Sequence, residues 1–471
     1  MTASQFDIAV IGAGSGGLTV AAAAAQFGQR VVLFEKGDMG GDCLNTGCVP
    51  SKALLAAAKQ AHAMRSGETF GIAAVEPQVD FTRVMAHVKR AIAAIEPNDS
   101  QERFEKLGVK VVRAAARFLD ASTLEAGGQN YTARRSVIAT GSRAALPPIP
   151  GLTEVPHFTN ETLFDNQVLP EHLIIIGGGP IGMEMAQAHR RLGSRVTVIE
   201  AFDPLAKDDP ELTAVVLDSL KAEGIAILPR TAISAVRKTQ DGITAETREH
   251  GVIAGSHLLV AAGRQPNIEG LNLEAAGVAF SKRGITVGRG LRTSNSRIYA
   301  VGDVAGGLQF THVAGYHAGL VIRNALFGLP VKADAVIPWV TYTDPELAHA
   351  GLTEAMARKA HGESIKVLRW PFHDNDRAQA EGQTGGLVKV VTSAKGKILG
   401  CSIVGKQAGE LIQPWVLALS RGLKISAMVG QVLPYPTRGE ANRRAAITYF
   451  ADYATNPWVR RVIGLVQTIR P

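Results

Sequence analysis

Short β-branched runs alternate with alanine-rich stretches from the start of the chain. Residues 7–11 (Asp-Ile-Ala-Val-Ile) and 30–34 read as strands, with an alanine-rich helix from Leu18 between them. Gly12-Ala13-Gly14-Ser15-Gly16-Gly17 joins the first strand to the helix, and the second strand ends at Glu35. The pattern recurs: a strand at 173–176, then Gly177-Gly178-Gly179-Pro180-Ile181-Gly182, a helix from Met183, a strand at 195–199, and Glu200. This order predicts an α/β fold with two Rossmann-like units. Near the end of the chain, Trp458, Val459, Val462, Ile463, Leu465, Val466 and Ile469 share one face of a predicted helix.

Each repeat carries the chemistry of dinucleotide recognition. Gly12 permits the tight turn, Gly14 lets backbone approach a pyrophosphate, and Gly17 lets helix and strand pack closely; the helix N-terminus offers N–H groups and the positive end of its dipole. Glu35 stands 18 positions after Gly17, where a carboxylate accepts hydrogen bonds from a ribose diol. Gly177, Gly179, Gly182 and Glu200 repeat these places. Two such units predict two dinucleotides, and hydride transfer from a nicotinamide to a flavin is the simplest chemistry that links them. Glu200 favours NADH over NADPH, because a carboxylate repels a 2′-phosphate; Arg195 and Lys207 are the cations that could serve a phosphate instead.

Composition narrows the class. The 471 residues suggest about three domains. With 46% apolar and 20% charged residues, the chain has material for several cores and no case for disorder. Three cysteines exclude a disulfide scaffold, and no apolar run reaches transmembrane length. The first residues show no basic leader, so a cytoplasmic, reducing location is expected. The net charge of +8 permits anionic partners, yet no nucleic-acid motif accompanies it.

Cys43 and Cys48 lie in Gly40-Gly41-Asp42-Cys43-Leu44-Asn45-Thr46-Gly47-Cys48-Val49-Pro50-Ser51-Lys52. A zinc site would need two further ligands, and Cys401 has no clustered histidine, so no metal site is expected. Val49 to Lys52 open an Ala/Leu-rich helix, which places Cys48 near a helix N-terminus, where the dipole favours thiolate. A thiolate beside a flavin can attack it, donate charge to it, and be regenerated from a disulfide.

With these motifs the whole chain resembles the pyridine nucleotide–disulfide oxidoreductases of the glutathione reductase, lipoamide dehydrogenase and mercuric reductase type. Gly40 to Lys52 is similar to that family's redox-disulfide signature. Ala139-Thr140-Gly141-Ser142 resembles the return to the flavin domain, Ala262-Gly263-Arg264-Gln265-Pro266-Asn267 the end of the nicotinamide domain, and Ile298 to Asp303 the second flavin motif, whose Asp contacts the ribityl chain. The segments 342–346 and 375–378 resemble the C-terminal dimerisation domain. The resemblance implies a flavin domain at 1–145 and 270–335, a nicotinamide domain at 146–269 and an α+β dimerisation domain at 336–471. It implies FAD held through Gly12, Gly14, Gly17, Glu35, Lys52, Thr140, Gly141 and Asp303, and NAD(P)H through Gly177, Gly179, Gly182, Glu200 and Gly263. It further implies a Cys43–Cys48 disulfide, with Cys48 next to the flavin and Cys43 meeting the acceptor, and Lys52 paired with Glu184 near the hydride-accepting nitrogen. A homodimer is implied, each site completed by the other subunit.

One position departs from the commoner pattern. Lipoamide dehydrogenase and glutathione reductase carry His before Pro-Thr, with Glu downstream; here Tyr435 takes that place and Glu440 is retained. His titrates near neutrality and moves protons between thiols, whereas Tyr ordinarily ionises near pH 10. Mercuric reductases are similar in having Tyr, but they also carry a terminal cysteine pair, while this sequence ends Thr468-Ile469-Arg470-Pro471. The expected acceptor is therefore a disulfide or a thiol-bound metal, in mercuric-reductase-like fashion, with lipoamide or a quinone as alternatives. Cys401 reads as a small buried strand residue. Residues 441–471 hold five arginines (Arg443, Arg444, Arg460, Arg461, Arg470) and one acid, Asp452. The amphipathic tail suits packing on the dimerisation domain or, alternatively, an anionic membrane surface.

Overall fold

The computed structural model describes residues 5–469, so Arg470 lies outside the described residues. The chain packs as two compact units. One comprises residues up to 67, 74–201 and 227–334; the other comprises 68–73, 202–226 and 335 onward.

The first unit contains both glycine-loop repeats. Its larger sheet runs Lys110–Val112, Val31–Phe34, Phe6–Ile11, Gln129–Ile138, all parallel. The early part of Gln129–Ile138 then pairs antiparallel with Thr123–Ala126, while its last three residues take Ile298–Ala300 in parallel. A distant segment thus completes the sheet that begins at Phe6. Ile8, Ala9 and Val10 are fully buried, which explains a continuous apolar run where a half-exposed strand would alternate. Each such buried Ile or Val contributes about 1.5–3 kcal/mol. A smaller parallel sheet joins Arg195–Ile199, His172–Ile176 and His257–Val260. Its core includes Ile174, Ile176, Ile199 and Leu258.

The helices after both glycine loops start earlier than the sequence pattern suggests, at Ser15 and Pro180 rather than Leu18 and Met183. The last glycine of each motif is inside the helix, although glycine is a poor helix former. Its missing side chain is what allows the contact. A Cβ on Gly17 would fall 1.9 Å from the Gly12 carbonyl oxygen, and one on Gly182 would fall 2.0 Å from that of Gly177.

The second unit is built on an antiparallel sheet in the order Trp339–Thr341, Glu346–Gly351, Ile398–Gly405, Leu387–Ser393, Ile365–Pro371. Val390, Cys401 and Ile403 enter its core with Trp415, Phe372 and Ala445. Cys401 is a packing residue there, and burial pushes its thiol well above the ordinary range. Lys389 is buried, its ammonium 2.8 Å from carboxylate oxygens of Asp209, Glu211 and Glu354. This ion knot ties the helix Pro210–Ala222, which lies within the 146–269 stretch, to the C-terminal sheet. The last helix, Pro457–Ile469, has no buried residue.

Candidate active site

Both nucleotide loops adopt the same stereochemistry. Gly12 has φ +102° and Gly177 φ +111°, and a Cβ at either would lie 2.5 Å from a backbone oxygen, of Ala139 and Ala261 respectively. The middle glycines differ. A Cβ on Gly14 would meet nothing nearer than the Gly41 Cα at 4.0 Å, and one on Gly179 would meet no atom within 4 Å. Packing within the protein therefore explains the outer glycines but not the middle ones, which leave open space that a phosphate would fit. The helices Ser15–Gln26 and Pro180–Leu192 begin with no side-chain cap and no acid in the first turn, so their N-terminal amides suit an anion. Glu35 accepts the Ala13 N–H at 2.6 Å, and Glu200 accepts the Gly178 N–H at 2.6 Å. Each carboxylate is fixed at a strand end with acceptor capacity for a ribose diol. The residues present fit two dinucleotides.

The remaining predicted cofactor residues gather where the segments cross in the first unit. Thr140 donates to the Asn267 carbonyl at 2.7 Å, and the Asn267 amide donates back to Thr140 at 2.9 Å. Gly141, at φ +66°, accepts the Asn267 N–H. Gly263, at φ +126°, accepts the Ala145 N–H. Asp303 follows the strand Ile298–Ala300; it accepts the Ser142 hydroxyl at 2.5 Å, and burial pushes its carboxyl up.

Cys43 lies in the short helix Gly41–Asn45, and Cys48 is the first residue of the helix Cys48–Arg65. Both are free thiols, and they lie close enough to perturb each other's ionisation. Cys48 is held down, to about 6, chiefly by the Cys43 thiol; burial opposes this, and the Thr311 hydroxyl and the Lys52 charge assist. Cys43 is correspondingly raised, so the pair ionises at Cys48 first. Thr311 Oγ1 lies 3.3 Å from Cys48 Sγ. Lys52, one helical turn on from Cys48, places Nζ 2.9 Å from Glu184 Oε2, and Glu184 is only 4% exposed. A thiol that ionises readily, a second that holds its proton, and an ammonium paired with a buried carboxylate form one cluster. This arrangement suits two-electron thiol chemistry beside a bound redox ring.

Tyr435 and Glu440 belong to the second unit. Tyr435 is exposed, and its hydroxyl donates to Asp376 at 2.7 Å, which raises the phenol above its usual range. Glu440 opens the helix Glu440–Ile447 and pairs with Arg444 at 3.1 Å. Sequence reasoning did not single out Thr311 or Asp376. Thr311 is 263 positions from Cys48, and nothing local in the sequence marks it.

Residues 6–318 match the family model of the pyridine nucleotide-disulphide oxidoreductases, and residues 337–446 match that of their dimerisation domain. A mercuric reductase of Streptomyces lividans is 38% identical over 461 residues, 95% of this chain and 97% of that protein. A dihydrolipoyl dehydrogenase of Thermus scotoductus is 37% identical over 455 residues, 94% and 96% of the two chains. The solved structure of the HOCl-induced flavoprotein disulfide reductase RclA from Escherichia coli aligns with TM-score 0.85 at 28% identity, covering 94% of this chain and 99% of its own. The chain belongs to the class I pyridine nucleotide–disulfide oxidoreductases: FAD-containing, NAD(P)H-dependent enzymes acting on a disulfide or metal, with a domain for homodimer formation.

Proposed function

We propose that the enzyme uses NADH to reduce a thiol-bound soft metal ion of the Hg(II) type at Cys43 and Cys48, with the partner subunit's Tyr435 and Glu440 completing each site. FAD held by the first glycine loop, Glu35 and Asp303 would supply two-electron transfer between the nicotinamide and the cysteine pair. Cys48 carries the negative charge, beside the Lys52–Glu184 pair, and Cys43 faces the acceptor. Soft thiolate ligands suit such an ion.

The observation that carries this reading is Tyr435. Reducing a disulfide consumes protons, and oxidising a dithiol releases them, so either reaction benefits from a group titrating near neutrality. Tyr435, raised by Asp376, is no such group. Metal reduction does not need it: NADH and M2+ give NAD+, M0 and H+, with two electrons passed to the metal and no proton delivered to the acceptor. The similarity to mercuric reductases supports the same reading. The NADH preference rests on Glu200 at the end of its strand. Arg195 is at the other end, about 16 Å away along the strand, and pairs with Glu171 at 3.0 Å.

Anaerobic NADH oxidation with Hg(II) in excess small thiol, lipoamide, glutathione disulfide and quinones tests the proposal. Hg(II) is expected to turn over at least about a hundredfold faster than lipoamide, general acid–base help being worth 10²–10⁴, and Cys43→Ser is expected to abolish it. Lipoamide turnover equal to that with Hg(II) would refute the metal reading. Undiminished quinone reduction in Cys43→Ser and Cys48→Ser would put a diaphorase in its place.

The tail supports a peripheral membrane contact. Trp458, Ile463, Leu465 and Ile469 are exposed on the helix Pro457–Ile469, beside Arg460 and Arg461. No described helix is long and apolar enough to cross a membrane. An amphipathic, arginine-bearing helix of this kind suits an anionic lipid surface. Deletion of 457–471 is expected to abolish co-sedimentation with anionic vesicles while FAD stays bound; unchanged sedimentation rejects the contact.

A further inference from the structure

Asp42 immediately precedes Cys43, and a carboxylate there is chemically unwelcome. Its charge opposes ionisation of both thiols and also raises Asp303. The structure shows what offsets it. Arg264, on the strand Arg264–Pro266, places Nη2 3.2 Å from Asp42 Oδ2 and Nε 3.7 Å from Asp303 Oδ2. The same guanidinium donates to Ser142 Oγ at 2.7 Å and to the Ser142 carbonyl at 3.0 Å, and Ser142 in turn donates to Asp303. The other oxygen of Asp42 accepts from Thr46 at 3.0 Å and Asn160 at 2.8 Å. Arg264 is 14% exposed and Asp303 18%, whereas Asp42 is 39% exposed, so the Arg264–Asp303 contact is the less screened of the two.

We propose that Arg264 is a positioning residue for the redox pair: by clamping Asp42 and Asp303 it cancels the carboxylate charge beside Cys43 and keeps Cys48 available as thiolate at neutral pH. Arg264 directly follows Gly263, a predicted nicotinamide-domain residue, so the clamp also joins the end of that segment to the redox loop. Among the described residues, Asp42 and Lys52 act directly on the thiols, Glu184 pairs with Lys52, Arg264 contacts Asp42 and Asp303, and His312 follows the Thr311 that touches Cys48. His317 stands behind Gly302, and Asp99 lies beside the Gly40 turn. Of these, Arg264 is the one that touches both Asp42 and Asp303.

The inference rests on Cys43 and Cys48 being the redox pair, and the test separates the two claims. The two-electron-reduced holoprotein is titrated with pH while its long-wavelength absorbance, the signature of thiolate against oxidised flavin, is followed. Absence of that band in the unmodified enzyme would overturn the redox-pair reading itself. With the band present, Arg264→Met is expected to raise its midpoint by about one pH unit. Asp42→Asn is expected to lower it, and the Arg264→Met/Asp42→Asn double variant is expected to return at least halfway to the starting value. A purely structural role for Arg264 predicts no such rescue. An unchanged midpoint in FAD-replete Arg264→Met, or a double variant no better than the single, overturns the proposal. Should Arg264→Met fail to retain FAD, Asp42→Asn decides alone: an unmoved midpoint overturns the proposal and a fall supports it.

Discussion

In the proposed function Tyr435 is the residue on which the acceptor-side chemistry turns. Its hydroxyl is committed to Asp376, and its exposure leaves little packing to lose on substitution. Tyr435→His is therefore expected to change stability by no more than about 1 kcal/mol. The same change introduces a base that titrates near pH 6.5. Turnover with lipoamide or glutathione disulfide is expected to rise at least tenfold, with a new inflection between about pH 6 and 7. A flat pH profile and unchanged disulfide turnover would show that the residue at 435 does not govern proton supply. The departure at 435 is visible in the sequence because it sits in a recognisable Pro-x-Pro-Thr segment. The partners that tune the thiols are less visible. Thr311 and Arg264 reach the redox loop across long chain separations, and only folding reveals that Arg264 answers Asp42.

Among the elements, strands and their glycine turns were legible because their period and backbone demands are local. The helix start at Cys48 was legible, but those after the glycine turns were not: Gly16 and Gly17 read as loop, yet both are helical, a side chain at Gly17 being blocked by the Gly12 carbonyl and one at Gly16 crowded by Val301 and Ala314. The helix Pro210–Ala222 is another case. Its attachment to the C-terminal sheet depends on Lys389, a lone cation within the apolar run Leu387–Val391. Lys389→Met would take the ammonium away from buried Asp209 and leave Glu211 and Glu354 to Arg369. A loss of about 3–5 kcal/mol in urea unfolding is expected. Asp209→Asn in that background should recover part of it, which a simple cavity effect would not. The knot also makes stability depend on acid. Glu211 is depressed to about 2, chiefly by Arg369, with burial opposing and Lys389 assisting. A depressed carboxyl contributes stability that is complete above its ordinary value of 4.5 and lost as pH falls towards 2. The melting temperature is expected to drop across this window, and Glu211→Gln is expected to lower it at pH 7 while flattening the drop. Equal pH slopes for both proteins would remove Glu211 from the explanation.

At the scale of the whole molecule, residues 337–446 match a dimerisation domain, and Tyr435 and Glu440 lie within that span; the proposed function has them serve the opposite subunit. In a twofold-symmetric dimer, each contributed patch serves the opposite subunit. If Cys43 of one subunit works with the partner subunit's Glu440, two inactive variants must complement each other. Cys43→Ser has no acceptor thiol, and Glu440→Ala lacks the completing carboxylate. In a mixed dimer, one site combines both defects, while the other combines an intact Cys43 with an intact Glu440. Co-expression at equal amounts gives half mixed dimers, each with one working site, so acceptor turnover near about a quarter of the unmodified level is expected. The two variants purified separately and mixed without subunit exchange should stay inactive, which rules out residual activity as the source. A mixed population no more active than the better single variant, with mixed dimers demonstrated by mass, would place the whole site within one chain. Tyr435 would then lose its proposed contact with the acceptor, and the choice between metal and disulfide would have to rest on the Cys43–Cys48 loop alone.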